Sequence, residues 1–250
     1  MITAERHRMI LHLLEQKKIV RIHELVEELN ASESTIRRDL SELEQQNRLK
    51  RVHGGASLLH QTKEEPSVLE KSTKNLSEKS KIAAYAVSLI KDNDSIYLDA
   101  GTTTYEMIQH ISAKDITVVT NGPSHIKPLL EKGIHTYLLG GFVKPRTEAL
   151  IGQLAIQSLE KFRFDKSFIG VNGIHLHDGF TTPDPEEAAL KSTAIKLSQR
   201  AFVVADHSKF HEVTFSQIDE LDAATIITNE TNPETLSDFR EKTSIEVVDK

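Results

Sequence analysis

The residues best suited to chemistry here are polar groups set beside glycine, each set following a short apolar run. Asp99-Ala100-Gly101-Thr102-Thr103-Thr104 follows Tyr97-Leu98. A glycine and three hydroxyls at a helix start can hold an anion. First-turn N–H groups lack intrahelical partners there, and glycine lets the backbone come close. A hydroxyl-capped helix start uses the same residues without a ligand. The pattern G-x-x-x-x-G-K-[ST] is absent, so this is not a nucleotide P-loop. Thr120-Asn121-Gly122 places an asparagine where a turn accepts one. Gly140-Gly141, with Lys144 and Arg146 close behind, offers either room and cations for a phosphate or a charged surface loop. Asp184, Pro185 and Glu187 fit a helix N-cap, N1 and N3, and Glu187 with Lys191 makes an i, i+4 pair. These side chains serve a ligand as well if the helix start faces a crevice. Asp206 and Lys209 follow another apolar run, as ligand groups or as an ion pair.

A second set is basic. Ser32, Ser34, Thr35, Arg37 and Arg38 cluster within seven residues, and Lys50, Arg51 and His53 precede Gly54-Gly55. The elements that must position them are three short helices. Ile10, Leu13 and Leu14 stripe a helix near 4–16, and Ile22, Leu25, Val26 and Leu29 stripe one over 22–29. Ser32 caps a third helix over 33–46 whose apolar side is Ile36, Leu40 and Leu43. Ser34 and Arg38 then lie opposite that stripe, with Thr35 and Arg37 on its flanks. Two helices, a tight turn and a helix exposing Ser, Thr and Arg make a helix-turn-helix pattern, which places its last helix in the DNA major groove. Arg reads guanine bidentately or holds phosphate. Lys50, Arg51 and His53 then belong to a short strand and wing beside the groove. Ordinary solvated surface charge is the plain alternative.

The chain has 250 residues, 38% of them hydrophobic and 27% charged, enough for a packed core and one or two domains. It has no cysteine, which excludes disulfides, a thiol nucleophile and thiolate metal sites. No apolar run is long enough for a signal peptide or membrane helix, so the expected home is the cytoplasm. The net charge of −6 is uneven. Residues 1–57 carry 10 Lys and Arg against 9 Asp and Glu, and the remaining 193 carry 21 against 28. Residues 58–75 are polar, contain Pro66 and read as a linker. From 76 onward helical stretches (76–90, 103–112, 123–132, 148–160, 185–199) alternate with short apolar runs (95–98, 116–120, 136–139, 166–171, 201–205, 224–228). That alternation predicts an α/β domain with a mostly parallel sheet covered on both faces, its ligand site at the carboxyl ends of the strands.

Ala31–Leu40 followed by Leu49–Ala56 resembles the N-terminal signature of the DeoR family of bacterial repressors. The motifs Asp99–Thr104, Gly140-Gly141, Gly179–Thr182, Glu187–Lys191 and Asp206–Phe210 occur in that family's order, so the resemblance runs from about residue 3 to 245. It implies a winged helix-turn-helix over 1–57 and a sensor domain over 76–250 of the ribose-5-phosphate-isomerase-like α/β fold. It implies a homo-oligomer that binds operator DNA and is released by a phosphosugar. Gly101 and Thr102–Thr104 would hold the phosphate with Asp99. Asn121, Gly141, Lys144, Arg146, Asp184, Glu187, Lys191 and Lys209 would surround the sugar. Within the family, the runs Tyr97–Thr104, Arg163–Phe168 and Gly179–Pro185 resemble those of members that sense fructose 1-phosphate. Tagatose 6-phosphate is the alternative effector.

Two other classes fit less well. The isomerases carry carboxylates in an Asp-Gly-Ala-Asp-Glu motif, and the corresponding Gly170-Val171-Asn172-Gly173-Ile174 has none, although Asp184 or Glu187 could be argued as a base. No catalytic residue is therefore assigned. His207 with His211, and His175 with His177, suggest a metal sensor, but without cysteine or a matching acidic ligand no metal cofactor is expected.

Overall fold

The computed structural model describes residues 2–17, 19–46, 48–52, 54–58 and 67–248. The chain divides into two compact units, residues 1–63 and 64–250. The first contains α1 (Thr3–Lys17), β1 (Ile19–Arg21), α2 (Ile22–Leu29), α3 (Glu33–Gln45), β2 (Leu49–Val52) and β3 (Gly55–Leu58). Helix α2 buries Ile22, Leu25 and Leu29, and Asn30 ends it in the left-handed conformation. Two residues later the Ser32 hydroxyl accepts from the Thr35 N–H at 3.3 Å and starts α3. Helix α3 buries Ile36, Leu40 and Leu43 against Ile10, Leu14, Leu25 and Leu49 in one core. Each such side chain contributes about 1.5–3 kcal/mol.

Strands β2 and β3 form the wing hairpin, and β1 pairs with the other edge of β3. Three residues are too short for any periodicity, so β1 is visible only through its partner. Gly55 is required where they meet, because a Cβ there would lie 2.3 Å from the Val20 carbonyl oxygen.

The second unit begins with α4 (Val68–Thr73) and α5 (Leu76–Ser88). It continues with β4 (Ser95–Leu98), α6 (Thr102–His110), β5 (Thr117–Thr120), α7 (Pro123–Glu131), β6 (His135–Leu138), β7 (Phe142–Val143), β8 (Leu150–Ile151) and α8 (Gln153–Leu159). It ends with β9 (Phe164–Ile169), β10 (Gly173–His175), β11 (Gly179–Thr182), α9 (Pro185–Lys196), β12 (Ser198–Val204), β13 (Ser216–Asp219), β14 (Thr225–Thr228), α10 (Pro233–Arg240) and β15 (Ile245–Val247).

Seven strands form one sheet in the order β15-β14-β12-β9-β4-β5-β6, with every pairing parallel. Alternate residues along each strand serve opposite faces. Tyr97, Val119, Ile169, Val203 and Ile226 join Leu159, Leu190 and Phe239 of α8, α9 and α10 in one core. Ile96, Leu98, Val118, Phe168, Phe202 and Ile227 join Ile82, Met107 and Leu129 of α5, α6 and α7 in the other.

The expected alternation is present, with local differences. Residues 68–73, expected as linker, are helical, and Leu58 ends β3. The helix expected from 148 begins at Gln153, because Leu150-Ile151 pairs with Phe142-Val143. Gly152 turns the chain between them at φ 90°. Residues 173–182, expected as a loop motif, form β10 and β11, which join β13 in a small antiparallel sheet. Gly-Phe-Thr-Thr has no alternation of its own, so its pairing comes from the rest of the fold.

Chain order reverses at one place in the large sheet. From β4 the chain runs outward through β5 and β6, then returns to the other side of β4 as β9. Between β4 and β9 the loops therefore part at the carboxyl ends of the strands and open a crevice.

Candidate functional site

In the first unit, α3 exposes Ser34, Arg37 and Arg38 and partly exposes Thr35. The Ser32 hydroxyl caps the helix and lies 2.8 Å from Thr35 Oγ1 and 3.0 Å from Ser34 Oγ. Arg37 donates to Glu33 at 2.6 and 2.9 Å, and Arg38 donates to Glu42 at 3.1 Å. Arg51 Nη1 donates to Ser41 Oγ at 3.0 Å, and its backbone N–H donates to Glu44 at 2.8 Å. The wing is thus tied to α3, while Lys50 is exposed. His53 lies outside the described residues.

Sequence reasoning missed Asp39, the polar group on the buried side of α3. It accepts from Arg6 through both carboxylate oxygens, one bond 2.9 Å, and lies 3.2 Å from His7 Nε2. Burial opposes its charge, but Arg6 and His7 outweigh it and hold the carboxyl below its ordinary range. Its pairing with α1 is invisible without the fold: 33 residues separate Asp39 from Arg6.

In the second unit a cavity of about 350 Å³ opens at the β4/β9 reversal. Asp99, Gly101, Thr102 and Thr103 line it from the end of β4, and Gly170 and Asn172 from the end of β9. Asp99 fixes the fork. Its Oδ2 accepts from the Gly170 N–H at 3.0 Å and from Lys191 Nζ, and its own N–H donates to the Phe168 carbonyl at 3.1 Å. Asn121 braces the loop from below. Its Oδ1 accepts from Tyr97 Oη at 2.9 Å and the Ala100 N–H at 2.8 Å, and its Nδ2 donates to the Leu150 carbonyl at 3.2 Å. The start of α6 therefore points its first-turn N–H groups and the Thr102 and Thr103 side chains at a preformed crevice.

The cavity brings together Asp99, Gly101, Thr102, Thr103, Asn121, Glu187, Lys191 and Lys209 of the expected ligand residues. Five others do not line it. Thr104 is fully buried and its hydroxyl bonds within the loop, to the Gly101 carbonyl at 2.8 Å. Gly141 is structural, because a Cβ would lie 2.6 Å from the Ile151 carbonyl oxygen. Lys144 lies behind the wall, 3.0 Å from Glu187 and 3.1 Å from Asp184. Asp184 caps α9, accepting from the Glu186 N–H at 2.8 Å. The Arg146 carbonyl accepts from the Val68 N–H at 3.1 Å.

Lys71, Lys74 and Lys79 line the cavity unexpectedly, beside Asp206, which the sequence offers as a ligand group. The first two lie in the stretch expected as linker. Lys79 had a signal: it stands three and four residues before Ile82 and Ala83, on the buried stripe of α5. Burial pushes the Lys79 and Lys209 ammonium groups down, and Asp206 opposes that in both. Burial would raise Asp206, but bonds from Ser208 and the charge of Lys209 outweigh it. The lining thus sets five lysines against four carboxylates, Glu70, Asp99, Glu187 and Asp206, a small cationic excess suited to an anion.

Glu187 is a poor base. It accepts from Lys144 and Thr147 at 3.0 Å each and from Thr182 at 3.2 Å. Burial would raise its carboxyl, but Lys191 and Lys144 outweigh that and hold it below the ordinary range. A base for proton abstraction works best near neutral pH. Asn172, with no carboxylate, occupies the loop after β9.

Of the four histidines considered for metal, His177 packs its ring edge-on against His175, with centroids 5.8 Å apart. His207 is held with Asn229, His211 with Thr235, and His175 with Asp178. Among the described residues, the one group with three metal-type ligands close together is His7, Asp39 and Glu42, where Arg6 already occupies Asp39. No helix among the described residues is long and apolar enough to cross a membrane.

Comparison with known proteins places these two sites in a family. The DeoR-like helix-turn-helix domain matches residues 6–62, and the DeoR C terminal sensor domain matches residues 74–230. The chain is 53% identical over 249 residues to the HTH-type transcriptional regulator FruR of Bacillus subtilis (strain 168), covering 99% of each. It is 37% identical over 254 residues to the lactose phosphotransferase system repressor of Staphylococcus aureus (strain N315), covering 98% of each. Among solved structures, ribose 5 phosphate isomerase A from Neisseria gonorrhoeae aligns with 53% of this chain and 52% of its own, at 15% identity and a TM-score of 0.40. The two sequence relatives are DNA-binding transcriptional regulators and not enzymes. The chain belongs to the DeoR family of DNA-binding transcriptional repressors.

Proposed function

We propose that the protein represses a sugar-utilisation operon in the cytoplasm and leaves its operator when a sugar phosphate, fructose 1-phosphate, fills the second unit's cavity. The observation that carries the ligand class is the pairing of the α6 start, Thr102 and Thr103, with buried Lys79 and Lys191 and half-buried Lys209 in one crevice. The α6 start takes the phosphate, and Asp99, Asn172 and Lys191 stand where sugar hydroxyls can be read. The choice of fructose 1-phosphate draws on the Tyr97–Thr104, Arg163–Phe168 and Gly179–Pro185 runs and on the 53% identity to FruR. The 37% identity to a lactose phosphotransferase system repressor favours tagatose 6-phosphate as the second reading.

DNA is read by Ser34, Thr35, Arg37 and Arg38 of α3, flanked by Lys50 and Arg51 of the wing. A homo-oligomer would present this surface to repeated half-sites. Support for assembly comes from β6, the edge strand of the sheet, which exposes Tyr137 and Leu138.

The test is a gel shift on the protein's own upstream DNA at fixed salt, titrating fructose 1-phosphate, fructose 6-phosphate, fructose 1,6-bisphosphate and tagatose 6-phosphate. Release by fructose 1-phosphate alone at micromolar levels is expected. Release by another of the four keeps the repressor and discards fructose 1-phosphate. Thr103→Val should still bind DNA but respond at least tenfold less sensitively.

A further inference from the structure

Arg37 and Arg38 are neighbours on α3, and each pairs with a glutamate one helical turn away. The two pairs differ in geometry. Arg37 donates through both Nε and Nη2 to Glu33 Oε1, at 2.9 and 2.6 Å, so its side-on fork is taken. Arg38 gives only Nε to Glu42 Oε1, at 3.1 Å. Neither Nη1 nor Nη2 of Arg38 bonds among the described residues, and the side chain is 81% exposed. Guanine presents N7 and O6 side by side in the major groove. An arginine held at Nε can still meet both of them end-on, through Nη1 and Nη2.

Glu42 is itself anchored. Its other oxygen, Oε2, lies 3.8 Å from His7 Nε2, and the same ring nitrogen lies 3.2 Å from Asp39 Oδ1. Asp39 is buried and accepts from Arg6 of α1. A chain of polar contacts thus runs from the packing of α1 on α3 out to the Arg38 guanidinium. The Glu42 side chain is 38% exposed, against 60% for Glu33, so the partner of Arg38 is the better fixed of the two. The charge of Glu42 has a second effect. Binding to any DNA sequence depends on cations that neutralise phosphates. Residues 1–57 carry 10 Lys and Arg against 9 Asp and Glu, so this unit has little cationic excess. A carboxylate beside Arg38 repels a phosphate, whereas a guanine edge offers two directed acceptors without a formal charge.

We propose that Glu42 is a positioning residue for sequence readout: it aims Arg38 end-on at a guanine of the operator and disfavours the use of Arg38 on phosphate. This rests on the reading that α3 enters the major groove. Glu42 touches no base in this account. It sharpens the preference for operator over other DNA by fixing one guanidinium and by making the alternative contact worse.

Fluorescence anisotropy on the intact chain tests this at fixed salt, with the protein's own upstream operator and a random-sequence duplex of equal length. Glu42→Ala should bind the random duplex at least threefold more tightly than the parent, and the operator no more tightly. Each G·C pair of the operator is then replaced in turn by A·T. The parent should show a pair whose replacement weakens binding at least tenfold, and Arg38→Ala should cut that penalty below threefold. Glu42→Ala should cut the penalty at the same pair, and Glu42→Gln, which keeps an oxygen acceptor for Nε, should recover part of it. Glu33→Gln makes the same charge change beside Arg37 and should leave the penalty at its parent value. A loss of helix packing would weaken every duplex alike. If Arg38→Ala loses the penalty and Glu42→Ala keeps it, the positioning role is overturned and the reading of α3 stands. A penalty unchanged in Arg38→Ala overturns the reading of Arg38 as a base contact, and the role of Glu42 with it. Equal losses in Glu33→Gln and Glu42→Ala would make the effect one of charge alone and overturn the aiming. Unchanged affinity of Glu42→Ala for the random duplex overturns the repulsion of phosphate.

Discussion

Arg38 illustrates how a surface residue can matter to function and hardly at all to stability. It is largely exposed and pairs with Glu42 one turn on, an arrangement that contributes about 0.3–0.5 kcal/mol. A bidentate contact to a base discriminates by about 1–3 kcal/mol. Arg38→Ala should therefore leave the denaturation midpoint nearly unchanged and weaken operator binding at least tenfold, as chemical denaturation and a gel shift would measure. His125 shows the opposite case. It is buried, its Nε2 lies 3.3 Å from Thr104 Oγ1, and burial pushes its imidazole from 6.5 down to about 4. The folded state thus keeps it neutral while the unfolded chain takes up a proton below pH 6.5. Its contribution is present above that pH and declines as pH falls from 6.5 toward 4. Between pH 7 and pH 5 the loss from this group is about 2 kcal/mol. Urea denaturation at the two pH values should show it, and His125→Asn should flatten the difference. The role of His125 cannot be assigned from a single histidine in a sequence, because burial makes the difference and the fold decides burial.

Helix α3 depends on two polar devices of unlike visibility. Ser32→Ala removes the bond from the Thr35 N–H, and loss of such a cap costs about 1 kcal/mol. That cap is local, and the Ala31-Ser32-Glu33 sequence announces it. Asp39→Ala leaves Arg6 and His7 without their shared acceptor on a mostly buried surface, a loss of about 2 kcal/mol. The second variant should therefore lower the melting temperature of the first unit more than the first, which calorimetry can check. It should also weaken DNA binding, since it unpins α1 from the helix that carries Arg37 and Arg38. Helices with a regular apolar stripe, such as α2 and α3, are legible in sequence because periodicity accumulates over successive turns. Strands β1, β7, β8, β10 and β11 and helix α4 are two to six residues long. Their stability comes from partners far along the chain, so their own composition says little.

For the whole molecule the two sites must share one free-energy cycle if the proposed function holds. Sugar phosphate that weakens operator affinity by some factor must itself bind more weakly to the DNA complex by the same factor. Isothermal titration of fructose 1-phosphate into the protein, alone and saturated with operator, measures this directly. Equal affinities in the two titrations would refute coupling between the units while leaving each binding reaction intact.

Nearest-neighbour chemistry and periodicity suffice for much of this protein. The helix-turn-helix, the basic wing, the strand–helix alternation and the Asp99–Thr103 loop are all written in contiguous residues, because caps, turns and amphipathic stripes act over one to four positions. Tertiary structure alone decided which side chains meet. Lys71, Lys74 and Lys79 come to the cavity because α4 and the start of α5 border it. Lys144 and Asp184, adjacent to good motifs, are turned to brace Glu187 and α9 behind it. Burial and direction are properties of the packed sheet and its covering helices, and they are summed over contacts that sequence spacing does not record.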